Sequence, residues 1–124
     1  MHRSILKAGI LLSALSVILG AFAAHGLKKI IPVNSIAIFE TGVRYQFYHA
    51  FALIITAFLY KEFDHRKIKL AAKLFLVGIL LFSGSLYLLS LMPQYPIAGF
   101  ITPFGGVFFI VGWLMLYRAV TTKQ

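Results

Sequence analysis

A group of polar side chains in this 124-residue sequence has the residue types that could carry out chemistry. Its members are His25, Glu40, Arg44, Tyr45, Gln46, Tyr48 and His49. On a helix, Glu40 and Arg44 are neighbours four residues apart, with the acid first, which is the better order for an ion pair. Histidine can change its charge near neutral pH. The pattern therefore predicts a polar cluster on the helix that contains Glu40 and His49, with His25 beside it at the end of the first span.

Two interpretations of this cluster remain open. In the first it is a proton or ligand site, where Glu40 and His49 titrate, Arg44 holds an anionic group and His25 closes the site. In the second, Glu40 and Arg44 neutralise each other at the membrane surface, and the tyrosines and histidines anchor at headgroup depth. The short apolar run around the cluster places it near one surface, which favours the second interpretation.

Motifs for enzyme catalysis are otherwise missing from the sequence. There is no His-Glu-x-x-His, no phosphate-binding glycine loop and no Gly-x-Ser-x-Gly, and the chain has no cysteine. His25, Glu40 and His49 have no metal-ligand spacing, and His2 and His65 are predicted to be solvated loop residues. We expect no enzyme activity, no cofactor and no metal site.

The composition of the chain indicates which class of fold positions these residues. Apolar residues make up 60% of the chain and charged residues 12%, against about 45–50% and 25% in soluble domains. A soluble domain of this size cannot bury so much apolar surface. Disorder and a disulfide scaffold are excluded as well, because the chain is apolar and lacks cysteine. The sequence predicts one all-α integral membrane domain over residues 1–124.

Apolar runs predict four transmembrane helices in a compact bundle, at about residues 5–24, 43–60, 74–92 and 97–117. Pro93 and Pro96 predict a tight turn between the last two. Before the second span, Val33–Gly42 is predicted to be a short amphipathic interfacial segment, capped by Asn34 or Ser35. The first run also resembles a signal peptide with Ala21-Phe22-Ala23 as its cleavage site. We expect it to be kept as a span.

The net charge of +9 is interpreted as a topology signal rather than as a nucleic-acid surface. With the N-terminus inside, the cytoplasmic side receives nine basic residues: Arg3, Lys7, Lys61, Arg66, Lys67, Lys69, Lys73, Arg118 and Lys123. The outer side receives three: Lys28, Lys29 and Arg44. The positive-inside rule then predicts both termini in the cytoplasm. The Lys61–Lys73 loop is expected to attract anionic lipid of the inner leaflet.

Small residues predict where the helices approach each other. Gly9, Ser13, Ser16 and Gly20 lie on one face of the first span and are expected to pack against another span of the same chain. Gly84, Gly105 and Gly106 are predicted packing positions in the last two spans, and Pro103 predicts a kink or a broken helix start. Trp113 and Tyr117 fit an aromatic belt at the membrane–water boundary.

Four motifs, in order along nearly the whole chain, resemble a known family. They read GAFAAHGL at 20–27, ETGVRYQFYHA at 40–50, FSGSLY at 82–87 and TPFGG at 102–106, the last followed by Gly112-Trp113. The chain resembles the bacterial branch of the transmembrane protein 256 family, domain of unknown function 423; Ala23 departs from the glycine expected there. The resemblance implies a small multi-span inner-membrane protein and supplies no catalytic residues.

Three functions follow as hypotheses. The leading one is a non-enzymatic accessory or scaffolding component of a membrane assembly, alone or as a homo-oligomer. The second is a small oligomeric transporter or channel that uses Glu40, Arg44 and His49. The third and weakest is a membrane enzyme that acts on a lipid or quinone near the tyrosines. Membrane lipids are the expected partners, and nucleic acid is not.

Overall fold

Five α-helices make up most of residues 1–121, the part of the chain that the computed structural model describes. They are α1 (Arg3–Ala24), α2 (Val33–Leu59), α3 (His65–Gly78), α4 (Gly84–Leu91) and α5 (Ala98–Thr121). A 3₁₀ turn, Leu27–Lys29, follows α1, and a π-helical turn, Ile79–Ser83, joins α3 to α4. The π turn continues the helix from α3 into α4, so these three segments form one long rod. With α1, α2 and α5, the described chain has four long helical rods.

Three of these rods are long and apolar enough to cross a membrane. Within residues 1–121 they are Arg3–Lys29, His65–Leu91 and Ala98–Thr121. α2 has 27 residues, or about 40 Å of helix, but Glu40, Arg44 and Gln46 make its first half more polar. An all-α protein with several membrane-length apolar helices is therefore confirmed, and the crossing by α2 stays a prediction.

α2 begins ten residues before the predicted start of the second span. The predicted interfacial segment continues into the span without a break, so that both form one helix from Val33. Pro32 occupies the N-cap position and no side chain caps this end, so the predicted capping by Asn34 or Ser35 was wrong.

The start of α3 lies at His65, within the stretch predicted to be a loop. The Asp64 carboxylate accepts hydrogen bonds from the backbone N–H groups of Arg66 and Lys67, at 3.0 and 3.4 Å. An aspartate at this position satisfies donors that have no partner inside the helix, and so it fixes the first turn. Residues 65–73 therefore belong to α3.

The rods are arranged with α2 in the middle. α1 packs on one side of α2. The rod made of α3, the π turn and α4 packs on the other side of α2, and α5 packs against that rod. One apolar cluster, around Leu53, Ile68 and Phe75, joins α2, α3 and α5. A smaller cluster around Ala23 and Phe39 joins α1 to the start of α2.

The N-terminus and the α2–α3 connection lie at the same end of the molecule. The His2 backbone N–H donates to the Ala57 carbonyl at 3.0 Å, and the His2 ring meets the Tyr60 ring edge-on at 4.8 Å. We call this end, with residues 1–7, 60–73 and 116–121, the basic end. The α1–α2 connection and the α4–α5 turn are at the opposite end.

His2 also accepts a hydrogen bond from the Ile5 N–H and caps α1, and His65 stacks on Tyr60, so neither is a free loop residue.

Glycines allow the closest helix contacts. A Cβ on Gly9 would lie 2.7 Å from the Ile54 side chain and 2.9 Å from the Ala50 carbonyl oxygen. A Cβ on Gly105 would overlap the backbone of Phe82 in the π turn. Gly9 therefore lies at a close approach between α1 and α2, and Gly105 at a close approach between α5 and the α3–α4 rod.

The other predicted packing positions contribute less. A Cβ on Gly20 would lie 3.5 Å from the Val43 side chain and one on Gly106 3.8 Å from the Phe82 side chain, both ordinary van der Waals distances. A Cβ on Gly84 would meet no atom within 4 Å, so the predicted packing role of this glycine was wrong. Ser13 and Ser16 each donate a hydrogen bond to the carbonyl four residues earlier in α1, at 2.8 Å, and Ser16 is buried.

α5 is one continuous helix that includes Pro103, so the predicted broken start is absent from it. Pro103 is the sixth residue of this helix, so it removes one helical hydrogen bond, the one to the Gly99 carbonyl, and the helix continues on both sides of it. Of the two predicted packing positions on α5, Gly105 is buried, whereas Gly106 is only partly buried. The buried residues of α5 are Ala98, Gly105, Phe109, Gly112, Leu116 and Ala119.

Candidate functional site

α2 divides the predicted cluster into two groups. Gln46 and His49 are buried, whereas Glu40, Arg44 and Tyr48 are exposed. Because successive residues of a helix are 100° apart, positions 40, 44 and 48 share one side while positions 46 and 49 lie on another. The cluster is therefore not one site. It consists of an inner polar network, which includes Gln46 and His49, and an outer group, which is Glu40, Arg44 and Tyr48.

Gln46 forms the first half of the inner polar network. Its side-chain Nε2 donates to the Leu12 carbonyl at 3.0 Å, and the Tyr87 hydroxyl donates to its Oε1 at 2.6 Å. The Leu12 carbonyl also accepts from Ser16 Oγ at 2.8 Å. One amide therefore joins α1, α2 and α4. Nearby, Ser83 Oγ of the π turn donates to the Gly42 carbonyl at 2.7 Å.

His49 forms the second half. Trp113 Nε1 donates to His49 Nε2 at 3.0 Å, and His49 Nδ1 lies 2.7 Å from the Tyr45 carbonyl oxygen. The indole nitrogen is only a donor, so Nε2 must accept, and the ring proton must sit on Nδ1 and point at the carbonyl. The Phe109 ring stacks on the imidazole, with centroids 3.5 Å apart and planes 9° apart. These contacts hold His49 as one neutral tautomer.

The hydrogen bonds of the interior are complete. Within residues 1–121, no buried side-chain nitrogen or oxygen lacks a partner. Buried polar networks of this kind fix a unique packing when every member is satisfied. To take up a proton at Nε2, His49 would have to give up the hydrogen bond from Trp113. The inner polar network is thus built to hold helices in register.

The inner polar network lies deeper than predicted. Gln46 contacts Leu12, which is near the middle of α1 (Arg3–Ala24). The prediction that the whole cluster sits near one surface was therefore wrong for Gln46 and His49. It failed because α2 is longer than the apolar run that was used to place it.

The outer group differs from the predicted ion pair. Arg44 Nη2 donates to Thr41 Oγ1 at 3.3 Å, and Glu40 has no hydrogen bond or ion pair with the described residues. The predicted Glu40–Arg44 pair was therefore wrong. An ion pair is present instead between Lys67 and Asp64, at 3.0 Å.

The depth of the outer group follows from its neighbours on α1. Phe39 meets Phe22, with ring centroids 6.5 Å apart, and Val43 lies against Gly20. Gly20 is four residues from the end of α1, so the Arg44 backbone lies about 6 Å inside that end. The outer group is thus near the opposite end of the molecule, just within the apolar length of α1.

The His25 side chain makes no hydrogen bond or ion pair with either group in the described chain. His25 occupies the C-cap position of α1, is exposed, and donates its backbone N–H to the carbonyls of Ala21 and Phe22. Among residues 1–121, no group of three or more histidine, aspartate or glutamate side chains is placed to hold a metal ion. The structure therefore does not form the His25–Glu40–His49 site of the first interpretation.

The sequence analysis did not predict three residues of the inner polar network as site residues: Tyr87, Trp113 and Ser83. A signal was present for two of them, because tyrosine and tryptophan within apolar helices require a partner for their polar tip. Trp113 was instead assigned to the aromatic belt, which was wrong, since its N–H points at His49. Tyr117 is 67% exposed, and its hydroxyl has no such partner within residues 1–121.

The fold and the site together define a class of protein. It is a small helical membrane protein in which a satisfied polar network inside the bundle holds the rods together.

Comparison with known sequences gives the family. Residues 19–106 match the family described as "Protein of unknown function (DUF423)", and the chain belongs to that family. It is 46% identical to the UPF0382 membrane protein YwdK of Bacillus subtilis over 90% of both chains. It is 43% identical to a UPF0382 membrane protein of Haemophilus influenzae, over 87% of this chain and 86% of the relative.

A more distant relative carries a more specific name. The UPF0382 inner membrane protein YgdD of Escherichia coli is 37% identical, over 87% of this chain and 82% of the relative. No solved structure matches the chain. The resemblance noted in the sequence is thus confirmed: this is a DUF423 membrane protein.

Proposed function

We propose that this protein is a four-span, non-enzymatic scaffolding component of the cytoplasmic membrane that assembles with a second copy of itself. The contact is the outer α2 face, which we define as Glu40, Arg44, Tyr48 and Phe51. The observation that carries the proposal is the exposure of Glu40 and Arg44, two opposite charges on one face that do not pair with each other.

The proposed topology places the basic end in the cytoplasm, with α2 as the second of four spans. Eight basic residues of the described chain belong to the basic end: Arg3, Lys7, Lys61, Arg66, Lys67, Lys69, Lys73 and Arg118. Three belong to the opposite half: Lys28, Lys29 and Arg44. Lys123 lies outside the described residues. Eight against three favours a cytoplasmic basic end, and the inner membrane named for the E. coli relative supports the location.

A charged side chain that faces lipid is unfavourable, by about 2.5–3.5 kcal/mol at the centre of the bilayer and less near its surface. A face with one acid and one base is complementary to itself. A two-fold axis along the membrane normal would bring the same face of a second copy against it. Helical side chains lean toward the N-terminus, so Arg44 would reach the level of the second copy's Glu40. Tyr48 and Phe51 would extend the contact toward the middle of the membrane.

Disulfide cross-linking tests this contact, because the chain has no cysteine of its own. Single variants Tyr48→Cys and Phe51→Cys should form covalent dimers in membranes under mild oxidation. The matched control is Leu11→Cys, which is 70% exposed on α1 at a similar depth, since Gly9 lies against Ala50. Equal dimer yields at Leu11 and Phe51 would contradict a contact confined to α2.

Charge exchange tests the pairing itself. Glu40→Arg or Arg44→Glu alone should reduce the cross-linking of Phe51→Cys, because each puts like charges together. The exchanged double variant, Glu40→Arg with Arg44→Glu, should restore it. A double variant that behaves no better than the single variants would remove the charge argument.

The transporter hypothesis gives a different result in liposomes. It needs His49 or Glu40 to exchange protons or hold cargo, whereas His49 Nε2 is engaged with Trp113. A scaffold should give the same ion flux in proteoliposomes for the wild type, Glu40→Gln and His49→Gln. Loss of a flux in either variant would favour the transporter instead.

A further inference from the structure

A groove at the basic end has apolar walls and a cationic rim. Its volume is about 230 Å³, and it lies where α1, α2 and α3 meet. Residues that line it include Ser4, Ile5, Ala8, Leu53, Lys69 and Lys73, which we call the basic groove. It is separate from both the inner polar network and the outer α2 face.

The packing of the helices explains why this groove exists. α1 and α3 both pack on α2 but make at most marginal contact with each other. Leu53 of α2 is buried and forms part of the lining between them. Ala8 on α1 and Ala72 on α3 also line the groove, and their small side chains leave the space open. The groove is thus a slot between two rods, with the third rod behind it.

The walls favour a hydrocarbon occupant. Ile5, Ala8, Leu53, Ala72 and Leu76 contribute apolar side chains to the lining. An apolar cavity of about 150 Å³ stays free of water and accepts a molecule the size of benzene. A space of 230 Å³ can therefore take a segment of an acyl chain. A helix, about 10 Å across, is too wide to enter it.

The rim favours an anion. Lys69 and Lys73 are four residues apart on α3, and both are exposed. Two like charges at this spacing are unfavourable on a helix unless an anion lies between them. Both side chains lean toward the start of α3, which is the basic end, because helical side chains point toward the N-terminus. Lysine stems can line apolar surface while their ammonium groups reach the headgroups.

Among residues 1–121, no carboxylate side chain supplies an anion to this rim. The chain has three carboxylate side chains, Glu40, Glu62 and Asp64, and none of them lines the groove. Asp64 is paired with Lys67, and Glu40 belongs to the outer α2 face. The charge on Lys69 and Lys73 is therefore available to a ligand.

We propose that the basic groove binds one anionic phospholipid of the leaflet at the basic end. One acyl chain lies between Ala8, Leu53 and Ala72, and the phosphate lies on Lys69 and Lys73, with the Ser4 hydroxyl at the same rim. The lipid completes the contact between α1 and α3 that the protein leaves open.

Native mass spectrometry of the full chain, titrated with dioleoylphosphatidylglycerol or dioleoylphosphatidylcholine, tests the proposal. The wild type should retain one phosphatidylglycerol, bound at least tenfold more tightly than phosphatidylcholine. The double variant Lys69→Gln/Lys73→Gln should bind phosphatidylglycerol roughly 30-fold more weakly, since each lysine near anionic lipid contributes about 1 kcal/mol. The matched control, Lys28→Gln/Lys29→Gln at the opposite end, should bind as the wild type does.

A second variant separates the groove from the charge. Ala8→Leu narrows the slot without altering any charge, and should weaken phosphatidylglycerol binding while the protein keeps its far-UV circular dichroism. Inorganic phosphate at millimolar concentration should not displace the lipid, because it has no acyl chain. Equal affinity of the wild type for the two lipids would overturn the proposal. Binding that survives both Lys69→Gln/Lys73→Gln and Ala8→Leu would overturn it as well.

Discussion

Substitution of Gly105 by alanine should destabilise this protein more than any other glycine-to-alanine change on α5. A Cβ at this position overlaps the backbone N and Cα of Phe82 in the π turn, so no side chain can rotate away to make room. The α5 rod would have to move off the α3–α4 rod. Overpacking of this kind costs about 1–3 kcal/mol. Because the overlap is with backbone atoms, the upper half of this range applies, about 2–3 kcal/mol. Alanine returns about 0.5–1 kcal/mol of helix propensity, which leaves a net loss of about 1–2.5 kcal/mol.

Gly84→Ala is the matched control, because a Cβ at Gly84 has no neighbour within 4 Å. It makes the same substitution directly after the π turn, and should raise the free energy of unfolding by about 0.5–1 kcal/mol. Titration of the protein in mild detergent with sodium dodecyl sulfate, followed by far-UV circular dichroism, measures both free energies of unfolding. If Gly105→Ala unfolds at the same detergent fraction as the wild type, or later than Gly84→Ala, the close contact between α5 and the π turn is refuted.

Two further predictions concern the inner polar network and the start of α3. Tyr87→Phe removes the donor to Gln46 Oε1 and should cost about 0.6–1.7 kcal/mol in the same titration, whereas Tyr95→Phe, at a 54% exposed tyrosine, should be neutral. The Lys67 ammonium, through its hydrogen bond, lowers the pKa of Asp64 below the ordinary 3.8. Because the folded state lowers this pKa, the stability that Asp64 contributes is present above pH 3.8 and is lost as the pH falls through the lower, folded value. Thermal unfolding at a series of pH values should show this loss in the wild type and a smaller one in Asp64→Asn; identical pH profiles would argue against it.

The sequence was sufficient for the class of the fold because membrane helices are signalled by composition. Long apolar runs and the pair Pro93 and Pro96 located α1, the α3–α4 rod and α5. Helix ends were predicted less well. The apolar run marks the stretch that lipid favours, whereas the helix continues to its cap, as Asp64 shows for α3.

The polar cluster was recognised but misassembled. Spacing along α2 indicated that Glu40 and Arg44 share a face, and they do, yet Arg44 bonds to Thr41 instead. The partners of the buried residues come from distant positions: Tyr87 for Gln46 and Trp113 for His49. Periodicity within one helix carries no information about which residue of another helix will lie opposite, so these pairs required the tertiary structure.

The π turn gives this chain a particular sensitivity to length. A π turn contains one residue more than an α turn. Its presence therefore determines which side of the rod each side chain after Ser83 faces. Deletion of one residue inside Ile79–Ser83 would convert the turn to ordinary α-helix and keep Tyr87 directed at Gln46. The same deletion elsewhere between His65 and Tyr87 would rotate the tyrosine by about 100° and turn its hydroxyl away. A one-residue deletion that keeps the contact between Tyr87 and Gln46 is thus confined, by geometry, to the five residues of the π turn.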